Sequence, residues 1–328
     1  MSQTVTPGDT VDPGAQFEPY RRELTAFSYR MLGSAFEAED AVQETLLRAW
    51  RGFEGFEGRA SVRSWLYRIA TNVCLDMARG RTRRARPMDL GPAGATATAQ
   101  LVARPHEAWL EPMPERLMLG DTLDPADVAA ARESVRLAFV AALQHLPARQ
   151  RAVLILREVL RWPATEVAEL LDTTVASVNS ALQRARATLA DGAVAETDVW
   201  RPLDPEQQAL LGRYVAAFEA YDLDALTALL HADVVQTMPP YDLWLTGHDE
   251  IRRWYLGPGI GCRGSRLVPV VANGSAAFGQ YKPGPDGDLE PWAVQVIEIR
   301  EGAIAAMNAF LDTERLFPLF GLPPRLDR

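Results

Sequence analysis

From Val62 to Met77 the apolar residues fall at Val62, Trp65, Leu66, Ile69, Ala70, Val73 and Met77, the spacing of one helix face. Ser61 stands before them as an N-cap. The opposite face carries Arg63, Tyr67, Arg68, Asn72 and Arg79. Guanidinium and ring interleaved in this way suit a nucleic-acid strand, because Arg pairs with phosphate and an aromatic ring stacks on an unpaired base. Upstream, a helix over 37–52 is expected to turn Val42, Leu46, Ala49 and Trp50 inward. It shows Asp40, Gln43, Glu44 and Arg48 outward, a docking surface for a protein partner.

A second helical block spans 134–191. Pro163 starts the short helix TEVAELL, Asp172-Thr173-Thr174 breaks it, and VASVNSALQRARATL follows. Val167, Ala168, Leu171, Val178, Leu182 and Leu189 form the core of the pair. Ser177, Asn179, Ser180, Gln183, Arg184 and Arg186 point outward. This is a helix-turn-helix pattern, whose second helix enters a major groove with its N-terminal residues at base edges. After Trp200-Arg201-Pro202 the texture changes. Two helical stretches lead into period-2 runs, LVPVVA and WAVQVIEI, bounded by Gly and Pro turns and read as strands. Between the helical blocks, residues 87–105 are rich in Pro, Gly, Ala and Thr and predict a flexible linker with little to pack. Residues 106–133 carry the motif HEAWLEPMPERL. Residues 1–15 read as a disordered tail.

The formal net charge of −9 argues against a nucleic-acid binder until its distribution is seen. Lys282 is the one lysine; the other basic residues are Arg. Arg59 to Arg86 holds eight Arg against Asp76, and residues 37–57 hold six acids against Arg48 and Arg51. One surface for an anionic partner beside another for a basic one follows from that segregation. No apolar run approaches the ~18 residues of a membrane helix, and the N-terminus lacks the features of a signal peptide. Two cysteines, Cys74 and Cys262, argue by count and spacing against a disulfide framework or thiolate metal site. A reduced, cytoplasmic protein with no metal or cofactor and no membrane partner is expected.

Taken together the two helical blocks resemble the extracytoplasmic-function (group IV) sigma factors. FEGRASVRSWLYRIATNVCLDMAR is similar to their second conserved region, and EAEDAVQETLLRAW to their polymerase-clamp helix. LQHLPARQRAVLILREVLRWPATEVAELLDTTVASVNSALQRARATL is similar to their fourth region. The resemblance implies binding to core RNA polymerase, melting of a −10 promoter element by the first domain and reading of a −35 element by the second. It implies no stable sequence-specific duplex binding without polymerase. Carried onto this sequence, Asp40, Gln43, Glu44, Leu47 and Arg48 would meet the clamp. Arg59, Arg63, Tyr67, Arg68, Asn72 and Arg79 would lie near the −10 strand, and Arg81, Arg83 and Arg84 would add phosphate contacts. Where family members carry a Lys/Arg-Ser-Arg run in the recognition helix, this chain reads Asn179-Ser180-Ala181. Asn179 retains the option of a bidentate pair with adenine.

The C-terminal residues resemble a SnoaL-like cone of the nuclear-transport-factor-2 type, through QALLGRYVAAFEAYDLDALTALLHADVVQTMPP and the closing ERLFPLFGLP. The expected architecture is two all-α domains joined by a flexible linker and followed by an α+β cone. The divisions are 16–86, 87–133, 134–191 and 204–328. Tyr214, Phe218, His231, Met238, Trp244, Trp254, Tyr255, Trp292 and Phe310 are candidates to line a pocket for an unknown small ligand. His231-Ala232-Asp233 and His248-Asp249 are not dyads by sequence, and His248 is expected to start a helix. Residues 1–200 hold 23 basic against 26 acidic residues, and 201–328 hold 11 against 17. An acidic appendage tethered to an Arg cluster is expected to regulate it in cis, with the tail Leu316, Phe317, Leu319, Phe320 and Leu322 as a docking element. The competing readings are a SnoaL-like enzyme or ligand sensor targeted by the helical domains, and a conventional helix-turn-helix repressor.

Overall fold

The structure is a computed structural model that describes residues 16–58, 60–119, 125–191, 197–198, 200–202, 204–285 and 287–327. The 1–15 tail lies outside the described residues. Helices α1 (Arg21–Leu32), α2 (Ala35–Gly52) and α3 (Val62–Met77) form the first block. Gly33 ends α1 in the left-handed region (φ 71°), and its N–H returns to the Tyr29 carbonyl. Ser34 then caps α2, accepting from the Glu37 N–H at 3.2 Å. Ser61 caps α3 in the same way, through the Ser64 N–H at 3.0 Å.

The second block comprises α4 (Pro125–Glu133), α5 (Leu137–Gln144), α6 (Ala148–Leu154), α7 (Ala164–Leu170) and α8 (Val175–Asp191). The turn between α7 and α8 passes through Asp172 at φ 50°, and Val167, Val178 and Leu182 close the helix pair as the spacing predicts.

In the C-terminal domain, α9 (Pro205–Ala220), α10 (Leu223–Thr227) and α11 (His248–Leu256) pack against a mixed six-stranded sheet of order β2-β1-β6-β5-β4-β3. The strands are β1 (Leu230–Thr237), β2 (Trp244–Thr246), β3 (Arg266–Ala272), β4 (Ser275–Pro283), β5 (Leu289–Arg300) and β6 (Ala303–Phe310). β1 and β6 run parallel; the other neighbours are antiparallel. Helix α12 (Thr313–Phe320) closes the domain. As expected, α11 begins at His248.

The hydrophobic cores do not respect the sequence divisions. One joins Leu24, Phe27 and Leu66 of the first block to Leu143, Ala152 and Trp162 of the second. Another joins Tyr29, linker residues Leu110 and Met113, Val135 of the second block, and Ala272, Tyr281 and Phe317 of the C-terminal domain. A third fills the cone. The seam between the helical blocks is also polar. Arg151 donates to the carbonyls of Met31, Gln144 and Leu146, and Arg30 donates to the Ser134 carbonyl and hydroxyl. Burial pulls both guanidinium groups down to about 10, so they stay charged at neutral pH and depend on these acceptors.

The expectation that residues 87–105 have little to pack is corrected. Gly94 N–H donates to the Trp244 carbonyl, the Trp244 indole donates to the Gly91 carbonyl, and Thr96 binds Glu250 through its N–H and hydroxyl. Arg104 N–H reaches the Pro240 carbonyl. Small side chains leave the backbone open, and the cone supplies partners for it. Trp50 is a second correction. It is 56% exposed, and Leu46 and Ala49 take the inward positions on α2.

Candidate nucleic-acid interface and the contacts that cover it

On α2 the residues Asp40, Gln43, Leu47 and Arg48 are exposed, and Glu44 pairs with Arg48 at 2.6 Å. Leu47 is 41% exposed, so with Trp50 this helix presents an apolar strip edged by charge. That is the composition of a protein-docking face.

The candidate −10 residues divide into two groups. Arg68, Asn72, Arg79, Arg81 and Arg83 are exposed. Arg81 pairs with Glu37, Arg79 lies 3.3 Å from Asp76, and Arg83 meets the His145 ring at 2.7 Å. Tyr67 and Arg84 are not on a free surface, which corrects the sequence reading. Tyr67 is fully buried between Phe27 and Trp162, and burial pushes its phenol well above the usual range. The helix spacing that turns Tyr67 away from Leu66 turns it toward α1 and the second block. Arg84 is 8% exposed, pairs with Glu37 at 2.8 Å and donates to the Trp109 carbonyl at 2.7 Å, so it holds the linker. Arg63 is half-covered: Glu23 grips it at 2.7 and 2.9 Å, and its guanidinium lies over the Tyr67 and Trp162 rings. Ser64 donates to Glu166 of α7 at 2.6 Å. Arg59 lies outside the described residues.

On α8 the outward set is as expected. Ser177, Asn179, Ser180, Gln183, Arg184 and Arg186 are exposed, with Arg186 paired to Glu158 at 2.6 Å. Thr174 caps the helix, its hydroxyl accepting from the Ser177 N–H at 3.1 Å.

The hairpin between β3 and β4 supplies a contact that the sequence reading missed. Asn273-Gly274 turns with both φ values positive (53° and 63°), as a two-residue hairpin loop demands. Its tip is buried. The Asn273 amide donates to the Tyr29 hydroxyl (2.6 Å) and the Val135 carbonyl (2.8 Å). Its oxygen accepts from Met113 N–H (2.8 Å), and its own N–H donates to the Met113 carbonyl (3.0 Å). One side chain therefore joins the first block, the linker and the start of the second block. A Cβ on Gly274 would stand 2.7 Å from the Arg132 carbonyl, so the close approach requires glycine. A Gly turn bounding LVPVVA was legible in the sequence; the Asn273 contacts and their burial were not.

Linker residue Glu111 forms the neighbouring contact. Its carboxylate accepts from Ser34 and Arg315, and its carbonyl accepts from Tyr29. Burial raises its carboxyl above the usual range despite those donors and Arg84. Arg315 also lies over the Phe36 ring at 3.8 Å, and Phe317 packs edge-on to Tyr281. The closing helix thus packs on its own sheet through Phe317 and touches the first block through Arg315, a residue outside the apolar tail set.

The candidate pocket residues lie in several different surroundings. Tyr214, Phe218, Trp254 and Tyr255 are buried in the cone, with Met238 packed at its edge. A polar chain crosses that interior, from Tyr214 hydroxyl to Gln295 (2.6 Å), Gln295 to Gln280 (2.7 Å) and Gln280 to Ser265 (3.0 Å). Phe310 belongs to the shared core and borders a cavity of about 20 Å³. Trp244 binds the linker, and Trp292 lies beneath Lys282. His231 sits in a surface cluster with Arg300, 3.6 Å from Asp233. His248 faces the backbone carbonyls of Leu230 and His231. Large side chains of α9, α11 and the sheet fill the cone.

Residues 16–84 match the family model of Sigma-70 region 2, residues 136–189 that of Sigma-70, region 4, and residues 211–307 that of a SnoaL-like domain. The chain is 48% identical over 318 residues to the ECF RNA polymerase sigma factor SigG of Mycobacterium tuberculosis, covering 96% of this chain and 85% of that one. It is 31% identical over 307 residues to SigJ of the same organism, covering 89% of each chain. The crystal structure of SigJ superposes with a TM-score of 0.61 at 27% identity, covering 94% of this chain and 99% of that one.

Proposed function

Since the chain belongs to the extracytoplasmic-function sigma factors, which direct RNA polymerase to promoters, we propose that its SnoaL-like domain holds it in a closed state. Initiation needs the −10 face of α3, and here Trp162 and Glu166 of region 4 cover part of it. Asp40, Gln43, Glu44, Leu47 and Arg48 form the polymerase-facing surface, extended by Trp50. Arg63, Arg68, Asn72, Arg79, Arg81 and Arg83 serve the −10 strand, and the outward residues of α8 serve the −35 duplex. Tyr67 and Arg84 act as framework.

The observation that carries the reading is the buried Asn273 tip, bonded at once to region 2, the linker and the entry to region 4. Asn273→Ala removes those bonds and leaves buried partners unsatisfied, at about 1–3 kcal/mol each. It also places a Cβ residue of ordinary preference in the left-handed region. A net loss of about 2–3 kcal/mol would raise the open fraction roughly 30- to 150-fold. Promoter-specific transcription at limiting core polymerase is expected to rise accordingly until opening no longer limits. Unchanged transcript yield from a folded Asn273→Ala protein would contradict the reading.

A further inference from the structure

The chain has four histidines, and His145 stands where three segments meet. It ends α5, with its N–H turned back to the carbonyls of Ala142 and Leu143. Its Nδ1 lies 2.7 Å from Nη1 of Arg83, at the tail of region 2, and its Nε2 lies 3.8 Å from Asp89 of the linker. A guanidinium has donors and no acceptor, so the short contact requires an unprotonated Nδ1. The ring proton then sits on Nε2, on the side of Asp89. The ring therefore joins region 4 to the tail of region 2 only while it is neutral.

The surrounding charges decide which form is held. Arg83 and Arg86 face the ring, with the Asp89 carboxylate opposing them. Arg86 already engages Asp89, through its N–H at 2.8 Å and its guanidinium at 3.4 Å. From α6, Arg151 donates to the carbonyls of Gln144 and Leu146, on either side of His145. Arg81 and Arg84 turn to Glu37, and Arg149 to the Leu171 carbonyl. The end of α5 favours a cation, but a proton on Nδ1 sets one donor against another and adds a charge beside two arginines. Burial and Arg83 pull the imidazole below its ordinary 6.5, with Asp89 offsetting only part of the effect. The side chain is 40% exposed, so protons reach it.

We propose that His145 is an acid-responsive latch: neutral, it ties the tail of region 2 to the end of α5; protonated, it releases Arg83 and loosens the closed state. The inference rests on the closed-state reading for its consequence and adds a signal that the reading lacks. The sign follows from linkage. The imidazole is held lower in the closed state than in water. Its contribution is therefore full above the ordinary 6.5 and is lost as pH falls through the closed-state value. Glu111 works the other way, because burial raises its carboxyl and acidification there favours the closed state. His106, 3.5 Å from Asp312, also gains an ion pair when protonated. The latch is thus read as a difference between the parent chain and one in which position 145 does not titrate.

Histidine-selective ¹³C labelling of the full chain gives four signals, and the one absent from His145→Gln is His145. Its titration midpoint is expected below the ordinary 6.5 and should rise in Arg83→Ala. Hydrogen exchange then reads opening, at peptides holding Met113 and Asn273, whose N–H groups bond across the domains. Between about pH 7.5 and 5.5 the parent should lose about threefold or more protection relative to His145→Gln, since Gln stays neutral and can still accept from Arg83. A staple separates opening from local fraying. Pro114 and Ala272 pair as an antiparallel bridge between linker and β3. Such pairs hold Cα atoms about 4.5–5.5 Å apart, inside the range a disulfide spans. Oxidation of the Pro114→Cys/Ala272→Cys protein fixes the closed state, so the acid-dependent loss should vanish in it and return on reduction. A midpoint at or above the ordinary value, no rise in Arg83→Ala, equal protection changes in parent and His145→Gln, or a loss that survives oxidation each overturns the inference. Failure of the closed-state reading shows separately, as equal transcription from the oxidised and reduced proteins at neutral pH.

Discussion

Tyr67, Arg63 and Glu298 show how a residue's role depends on the side of a helix or strand that a second domain happens to cover. Tyr67 and Arg63 lie on the face opposite the α3 core stripe, so spacing alone assigns both to solvent. Burial of Tyr67 comes from Phe27 and from Trp162, about a hundred residues away in sequence, which no local periodicity reports. Glu298 on β5 is 8% exposed and faces Arg86 and Arg136, yet burial outweighs both and raises its carboxyl above the ordinary 4.5. A carboxyl raised on folding contributes stability fully below its unfolded value, and that contribution is lost as pH rises through the raised one. Glu298→Gln keeps the shape and removes the buried charge. Its melting temperature should exceed that of the parent protein at pH 8, with the gain shrinking toward pH 5. Burial and Arg83 pull the His145 imidazole below its usual range in both proteins alike, so it cancels in the difference. An equal difference at both pH values would show that Glu298 does not titrate in this way.

At the scale of elements, the helices were legible because apolar spacing and caps agree. Ser61 and the Asp172 turn stand where the pattern places them, while α2 starts two residues earlier than the pattern gave, capped by Ser34. The linker was not legible, because most of its contacts with the cone use backbone groups that carry no side-chain signal, joined by the Thr96 hydroxyl and the Arg104–Asp242 pair. The separate surroundings of the candidate pocket residues were not legible for a related reason: aromatic residues at these positions fill a cone as readily as they line one. Helix α12 has two faces, and they separate its two roles. Phe317→Ala opens a core hole beside Tyr281 and should cost about 3–5 kcal/mol of folding stability. Arg315→Ala leaves that core intact and removes the contacts to Phe36 and Glu111, worth about 1 kcal/mol at this exposure. It should raise open-state transcription about fivefold with little change in melting temperature. A large melting shift with unaltered transcription in Arg315→Ala would assign the contact to folding alone.

For the whole molecule, the seam between regions 2 and 4 combines a shared apolar core with buried arginines bound to carbonyls. Those arginines can exchange carbonyls for water when the domains part, so the seam is specific without being irreversible. The C-terminal domain adds the hairpin tip, the partners of residues 91–104 and α12. All three grip the linker, the segment that the proposed closed state requires to be released before the two promoter-reading domains separate. The central claim is therefore that linker release gates initiation. The Pro114→Cys/Ala272→Cys protein tests it directly. The native thiols compete poorly: burial pushes Cys74 up to about 12 and raises Cys262 as well. The decisive measurement is promoter-specific run-off transcription with core polymerase, oxidised against reduced. The account predicts transcripts from the reduced form and their loss on oxidation; equal yields from both would contradict it.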